Sequence, residues 1–163
     1  FDGRFEWGPR ALGNRSIIAD PRNELMKDIV NTKIKFREPF RPFAPSVTVE
    51  SCEDFFQLND SHDSYPARFM LLVTDVKDEK QNVIPAVSHL GTARVQTVHR
   101  ETNPSYYDLI SKFGNATGVP ILLNTSFNVR GEPIVNTPAD ALNTYNNSGI
   151  DSLVLGQFMI SKS

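Results

Sequence analysis

Four short segments combine basic and polar side chains with glycine or proline, at residues 8–16, 33–43, 91–96 and 123–131. Their sequences are GPRALGNRS, KIKFREPFRPF, GTARVQ and LNTSFNVRG. Arginine offers a forked, permanently charged donor that matches phosphate oxygens, and lysine offers a point charge. Serine and asparagine add neutral hydrogen bonds, and glycine lets the backbone approach a ligand closely. Together the four segments predict an anion site suited to polyphosphate.

Other kinds of site find no support in the sequence. There is no P-loop, no G-x-G-x-x-G fingerprint and no G-x-S-x-G elbow. The histidines His62, His89 and His99 lack the spacing of metal ligands, and we expect structural or surface roles for them. Each arginine taken alone could equally serve the fold: strand alternation places Arg94 on one face with Gln96, an arrangement that ordinary exposed strands also have.

The composition is that of an ordinary globular protein, with 39% hydrophobic and 22% charged residues in a chain of 163. The net charge is -2, yet residues 1–41 carry nine Lys or Arg against six Asp or Glu. This local basic excess favours a confined anion site and makes nucleic acid an unlikely partner. The single cysteine, Cys52, and the lack of a signal peptide or long apolar run predict a cytoplasmic protein without a membrane span.

The elements that must position these segments are those of an α/β protein. The apolar spacing after Asp20 predicts a helix over 21–33, and further helices are predicted after Asn103 and Thr137. We expect strands at 46–49, 69–76, 83–87, 92–98, 120–123 and 152–160. This order of elements predicts a single domain over 1–163, with a mixed twisted β-sheet flanked by helices.

The same four segments, extended to the strings GPRALGNRS-x-x-ADPR, FRPFAPSV, GTARVQTV and VPILLNTSFNVRGEPIV, carry a family resemblance. The chain resembles the C-terminal domain of the O-carbamoyltransferases, which include the nodulation-factor and antibiotic carbamoyltransferases. The resemblance runs from about Gly3 to Ile160, with the motifs in the same order.

The resemblance implies a YrdC/Sua-like fold that binds ATP and forms an acyl-adenylate. In such proteins an N-terminal actin/Hsp70-like catalytic domain binds iron and transfers the carbamoyl group to a hydroxyl of a sugar or natural product. That domain has no counterpart in this sequence, so we expect the chain alone to be unable to carbamoylate an acceptor. The expected partners are ATP with Mg²⁺, carbamoyl phosphate and the N-terminal domain of the same polypeptide.

Site residues are assigned from the resemblance, position by position. The expected catalytic residues are Lys35, Arg41, Arg94 and Ser126. The expected substrate-binding and ATP-binding residues are Arg10, Lys35, Arg41, Arg94, Asn124, Ser126, Asn128 and Arg130. No residue is assigned as a metal ligand.

The sequence departs from the family at one loop. Members often have His-Val-Asp-Gly before the Thr-Ala-Arg string, whereas this chain has His89-Leu90-Gly91, one residue shorter and without the carboxylate. If that carboxylate positions Arg94 or a metal, its loss weakens activity; if it only caps a turn, nothing is lost. The altered loop leaves a nucleotide-binding module that does not catalyse as one alternative to an adenylating domain. A second alternative is an interdomain docking module formed mainly by residues 1–22. A third, RNA binding, is opposed by the net charge of -2.

Overall fold

A computed structural model describes residues 1–36, 38 and 40–162. Arg37 and Pro39, which fall in the second basic segment, and Ser163 lie outside the described residues. The strands are β1 (Ser16–Ala19), β2 (Ala44–Thr48), β3 (Val73–Asp75), β4 (Thr92–Arg94), β5 (Gln96–Val98), β6 (Ile121–Ser126), β7 (Ser152–Leu155) and β8 (Phe158–Ser161). The α-helices are α1 (Met26–Val30), α2 (Cys52–Phe55), α3 (Tyr65–Arg68), α4 (Asp78–Gln81), α5 (Pro104–Thr117) and α6 (Pro138–Asn146).

Four strands form the main sheet, in the order β1-β6-β2-β5. β6 runs antiparallel to β1 and to β2, whereas β5 runs parallel to β2. Ser46 of β2 lies opposite Leu122 of β6 on one side and Gln96 of β5 on the other. These three residues are therefore neighbours across the sheet. The α/β class and the mixed sheet predicted from the sequence are confirmed.

Apolar side chains cover both faces of this sheet. Because neighbouring strand residues point to opposite faces, Ile121 and Leu123 belong to the larger core cluster and Leu122 to a smaller one under α5. The smaller cluster joins Leu122 to Tyr106 and Ile110 of that helix. Along β6 the apolar residues come first, and the polar residues follow at the end of the strand.

The predicted strand over 92–98 is two strands that belong to different sheets. β4 pairs with β3 in a two-stranded sheet, and β5 pairs with β2 in the main sheet. The change occurs at Val95, which is fully buried. Arg94 is thereby the last residue of one sheet, while Gln96 is the first of the other.

The helix predicted over 21–33 begins five residues later, at Met26. Side chains in the intervening turn bond to nearby backbone: the Asp20 carboxylate accepts from the Arg22 amide at 2.9 Å, and Asn23 accepts from the Leu25 amide at 2.9 Å. Such local bonds offer the backbone an alternative to a helical turn. α1 then continues as a π-helical turn, Asn31–Lys35.

Three strand predictions were wrong in extent or type. Of the stretch 69–76 only β3 is a strand, because Met70 takes a left-handed conformation with φ +56°. Residues 83–87 form successive turns, and 152–160 is the β7–β8 hairpin, which turns at Gly156. Apolar runs do not by themselves distinguish strands from buried turns.

Two helix predictions are confirmed together with their caps. Asn103 accepts from the Tyr106 amide at the start of α5, and Gly118 ends that helix with φ +77°. Thr137 and Asp140 form a reciprocal capping box at the start of α6. No helix of the described residues is long and apolar enough to cross a membrane.

The opening loop rests against α5 at Gly13. This residue has φ +120°, and a Cβ atom there would lie 2.5 Å from Cδ1 of Tyr106. Glycine is therefore required twice, by its backbone conformation and by the close approach of the helix.

We expect Gly13→Ala to lower the free energy of unfolding by about 3 kcal/mol, from backbone strain and from overpacking against Tyr106. Gly8→Ala is the matched control, because Gly8 has φ +105° and open space around its missing Cβ. It should cost about 1 kcal/mol, from backbone strain alone. Equal losses in urea unfolding would contradict the close packing of the loop on α5.

Candidate anion-binding site

Two arginines from distant parts of the chain line one small cavity. Arg10 comes from the opening loop, and Arg94 ends β4. The cavity has a volume of about 90 Å³. Its lining consists of Pro9, Arg10, Ala11, Pro42, Phe43, Ala44, Met70, Arg94, Asn124, Thr125 and Ser126. All four predicted segments thus meet here, although the lining residues are up to 117 positions apart in the sequence.

Neither guanidinium pairs with a carboxylate in the part of the chain that the structure describes. The Nε atoms of Arg10 and Arg94 are both buried without a hydrogen-bond partner among the described residues. No ion pair within the described ranges includes either side chain, whereas Arg22, Arg41, Arg68 and Arg100 each pair with a carboxylate. Burial, and after it the positive charge of Arg10, lower the pKa of Arg94. An anion bound in this cavity would supply the negative charge that its described lining lacks and would offset the two like charges.

A buried amide network fixes the loop that carries Arg10. The Asn124 Nδ2 donates to the Ala11 carbonyl at 3.1 Å and to Gln96 Oε1 at 2.9 Å. The Gln96 Nε2 in turn donates to the Leu12 carbonyl at 2.9 Å. Ser46 joins the two amides, since its hydroxyl lies 2.6 Å from Gln96 Oε1 and 3.0 Å from Asn124 Nδ2. Strands β2, β5 and β6 therefore hold the loop backbone directly beside Arg10.

Lys35 organises the end of β6 from the other side. Its ammonium donates to the backbone carbonyls of Ser126 and Asn128, and to Asn128 Oδ1 at 2.8 Å. The Ser126 hydroxyl donates to the same Oδ1 at 2.7 Å. The side chain of Lys35 is buried at the end of the π-helical turn. Lys35 thus positions Ser126, which lines the cavity, and is itself absent from the lining.

The arginines of the opening segment divide between two tasks. Arg15 is buried, donates to the carbonyls of Asp2 and Gly3 at 2.7 and 3.1 Å, and lies 3.5 Å over the ring of Phe1. The Glu6 carboxylate accepts from backbone amides of the same loop, including that of Leu12 at 2.8 Å. Arg15 and Glu6 therefore hold the loop in its conformation, whereas Arg10 lines the cavity.

Four of the eight residues assigned from the resemblance lie outside the cavity lining: Lys35, Arg41, Asn128 and Arg130. Arg41 is exposed and pairs with Glu38 at 3.0 Å, and Arg130 is exposed and donates to the Phe36 carbonyl at 3.3 Å. The structure brings Arg10, Arg94, Asn124 and Ser126 together around the cavity, with Lys35 and Asn128 bonded behind Ser126. Gln96 and Ser46 are the members that sequence reasoning did not assign.

The lone cysteine is not part of this arrangement. Cys52 begins α2, is fully buried, and burial raises the pKa of its thiol to about 12. A thiol of that pKa is almost entirely protonated at neutral pH and is a poor nucleophile. Within the described part of the chain, no group of three or more His, Cys, Asp or Glu side chains could hold a metal ion.

The chain matches one family model over residues 1–162, that of the carbamoyltransferase C-terminus. It belongs to this carbamoyltransferase C-terminal family. It is 52% identical to nodulation protein NolNO of Sinorhizobium fredii over 98% of the chain and 23% of that relative. It is 51% identical to nodulation protein NolO of Bradyrhizobium diazoefficiens, over 98% of the chain and 29% of the relative.

A cephem O-carbamoyltransferase matches as well. The chain is 39% identical to the 3'-hydroxymethylcephem-O-carbamoyltransferase of Amycolatopsis lactamdurans, over 94% of the chain and 28% of that protein. The chain thus spans about a quarter of the length of the curated relatives it matches. These matches confirm the family to which the sequence motifs point.

The shortened loop of this carbamoyltransferase C-terminal domain forms a complete turn. Leu90 and Gly91 have φ +51° and +79°, which is the backbone of a two-residue hairpin turn. His89 and Thr92 on either side exchange both backbone hydrogen bonds, at 2.7 and 3.0 Å. The turn therefore closes without a capping carboxylate and leads directly into β4, which carries Arg94.

We expect Lys35→Met to lower the free energy of unfolding by about 2 to 3 kcal/mol, because the partly buried acceptors at Ser126 and Asn128 lose a charged donor. Lys33→Met is the matched control, since Lys33 is exposed in the same turn and the charge change is equal. The control should stay within about 0.5 kcal/mol of the wild type. Urea unfolding that shows the same loss for both variants would contradict the buried role of Lys35.

Proposed function

We propose that this domain binds ATP and forms a carbamoyl-adenylate as part of an O-carbamoyltransferase. The observation that carries the proposal is the pair of guanidiniums of Arg10 and Arg94, which share a cavity without any counter-charge among the described residues. Guanidinium groups offer paired N–H donors that match phosphate and carboxylate oxygens. Membership of the carbamoyltransferase C-terminal family and the similarity to a cephem O-carbamoyltransferase support the carbamoyl chemistry.

The proposed reaction has two balanced steps. Water hydrolyses carbamoyl phosphate to carbamate and inorganic phosphate. A carbamate oxygen then attacks the α-phosphorus of ATP, a new P–O bond forms, and the bond to the β-phosphate oxygen breaks with release of pyrophosphate. Arg10 and Arg94 would offset the negative charge that gathers on the phosphoryl oxygens, which is the main task of a protein in such transfers.

The size of the cavity decides which part of the substrate it takes. About 90 Å³ is well below the roughly 300 to 1,000 Å³ of pockets that enclose a whole ligand of drug size. A single phosphoryl or carbamoyl group matches this volume, whereas adenosine does not. We therefore assign the reacting groups to the cavity and the nucleoside to the surface outside it.

Magnesium would accompany the nucleotide, and no described cluster of acidic or histidine side chains fits it as a protein-bound ion. The residues around the cavity are cationic or neutral, so they suit the phosphates and not the metal. No step of the proposal is assigned to a protein-bound metal, and iron remains an expectation for another domain.

The remaining part of a longer polypeptide would receive the carbamoyl group and pass it to the acceptor hydroxyl. Two findings support this further part of the polypeptide: the family that the chain matches is a carbamoyltransferase C-terminus, and the relatives are about four times as long as this chain. Beside the cavity loop, Trp7 is fully exposed, which makes this loop a suitable contact surface for such a neighbouring domain.

We expect isothermal titration with ATP and magnesium to show binding that Arg94→Ala weakens at least about tenfold, since a charge-assisted hydrogen bond is lost. Arg100→Ala is the matched control, because it removes an equal charge from an exposed side chain outside the cavity. It should change the affinity less than about threefold. ATP affinity that is unaffected by Arg94→Ala would contradict the proposed site.

A further inference from the structure

A second cavity, with a volume of about 550 Å³, is lined by the edges of two sheets, and we call it the edge cavity. Ser16 and Ile18 line it from β1, which is the terminal strand of the main sheet. Ser152 and Val154 line it from β7, and β8 is the only strand of the described residues that pairs with β7. Unpaired strand edges readily accept a further strand, and native proteins usually protect them.

The backbone groups of Ser152 and Val154 point to the open edge of β7. Leu155 and Phe158 face each other across the two-residue loop of the β7–β8 hairpin. The pair that closes such a loop exchanges backbone hydrogen bonds, and bonded pairs then alternate with non-bonded pairs along the ladder. Leu153 and Leu155 therefore bond to β8, whereas Ser152 and Val154 direct their N–H and C=O groups away from it.

Phe1 already occupies a strand position on this edge. Its amino group donates to the Val154 carbonyl at 3.0 Å, and the Gly156 amide donates to the Phe1 carbonyl at 3.0 Å. A residue that bonds to the two residues flanking its neighbour, here Leu155, follows the pattern of a parallel ladder. A parallel strand that ends at Phe1 runs alongside β7 and through the edge cavity, which Phe1 and Asp2 also line.

A charged amino group is poorly suited to this position. Burial, and after it the charge of Arg15, lower the pKa of the Phe1 amino group. A peptide N–H at the same place makes the same hydrogen bond and has no charge to desolvate. The position therefore suits a peptide group better than a charged terminus.

We propose that the polypeptide segment preceding Phe1 continues along β7 as a third, parallel strand and fills the edge cavity. The second residue before Phe1 accepts a hydrogen bond from the Val154 amide and donates one to the Ser152 carbonyl. Ile17 and Phe127 line the cavity, so the segment presents apolar side chains to them. The match to a carbamoyltransferase C-terminus and the relatives' length, about four times that of this chain, support a longer polypeptide. The strand connects the domain to that polypeptide and does not depend on nucleotide binding.

The test measures backbone amide hydrogen exchange by NMR in the present chain and in two extended forms. One form carries the roughly ten residues that precede Phe1 in its polypeptide, and the other carries a flexible Gly/Ser segment of equal length. We expect the natural extension to slow exchange of the Val154 amide at least about tenfold, because this amide gains a carbonyl partner. The Gly/Ser extension is the matched control and should slow it less than about threefold, since it has no apolar side chains for the cavity. The Met159 amide lies opposite Val154 in a non-bonded pair and points to the outer edge of β8, so its rate should stay the same in all three proteins.

The possible outcomes decide the proposal one way or the other. A Val154 amide that exchanges at the same rate with and without the natural extension would overturn it. Equal slowing by the two extensions would also overturn it, because the apolar lining would then play no part in binding the segment. Slowing at Met159 as great as at Val154 would contradict pairing at the edge of β7. None of these results bears on ATP binding, which the titration with Arg94→Ala tests separately.

Discussion

The buried amides of Asn124 and Gln96 constrain the whole site. Burying an amide costs free energy unless its donors and acceptors are satisfied, and here backbone carbonyls of the opening loop receive the donors. The bonds to Ala11 and Leu12 span 113 and 84 positions of the sequence. The position of the loop therefore depends on the pairing of β2, β5 and β6.

The same constraint creates an electrostatic conflict. Fixing the loop beside β6 brings Arg10 to the cavity that Arg94 lines, where burial and then the charge of Arg10 lower the pKa of Arg94. None of the described residues that line the cavity is a carboxylate that could offset these charges. The fold holds two cationic side chains at one small cavity, and an anionic ligand bound there would offset their charge.

The sequence predicted the fold class, the caps of α5 and α6, and the convergence of four basic and polar segments. It did not predict how the arginines divide their tasks. Arg10 and Arg15 are the same residue type in one loop, and only the placement of Phe1 and of backbone carbonyls makes Arg15 structural. The family resemblance named Arg41, yet this side chain pairs with Glu38 at the surface. Such outcomes depend on tertiary neighbours that local patterns do not contain.

We expect Arg10 and Arg94, whose Nε atoms have no hydrogen-bond partner among the described residues, to bind an anion together. An NMR titration with pyrophosphate that observes the Nε–H resonances of all arginine side chains measures this binding directly. The resonances of Arg10 and Arg94 should shift together and exchange more slowly with water, while that of Arg22, already paired with Asp20 at 2.6 Å, stays unchanged. Resonances of Arg10 and Arg94 that do not respond to saturating pyrophosphate would contradict this joint binding.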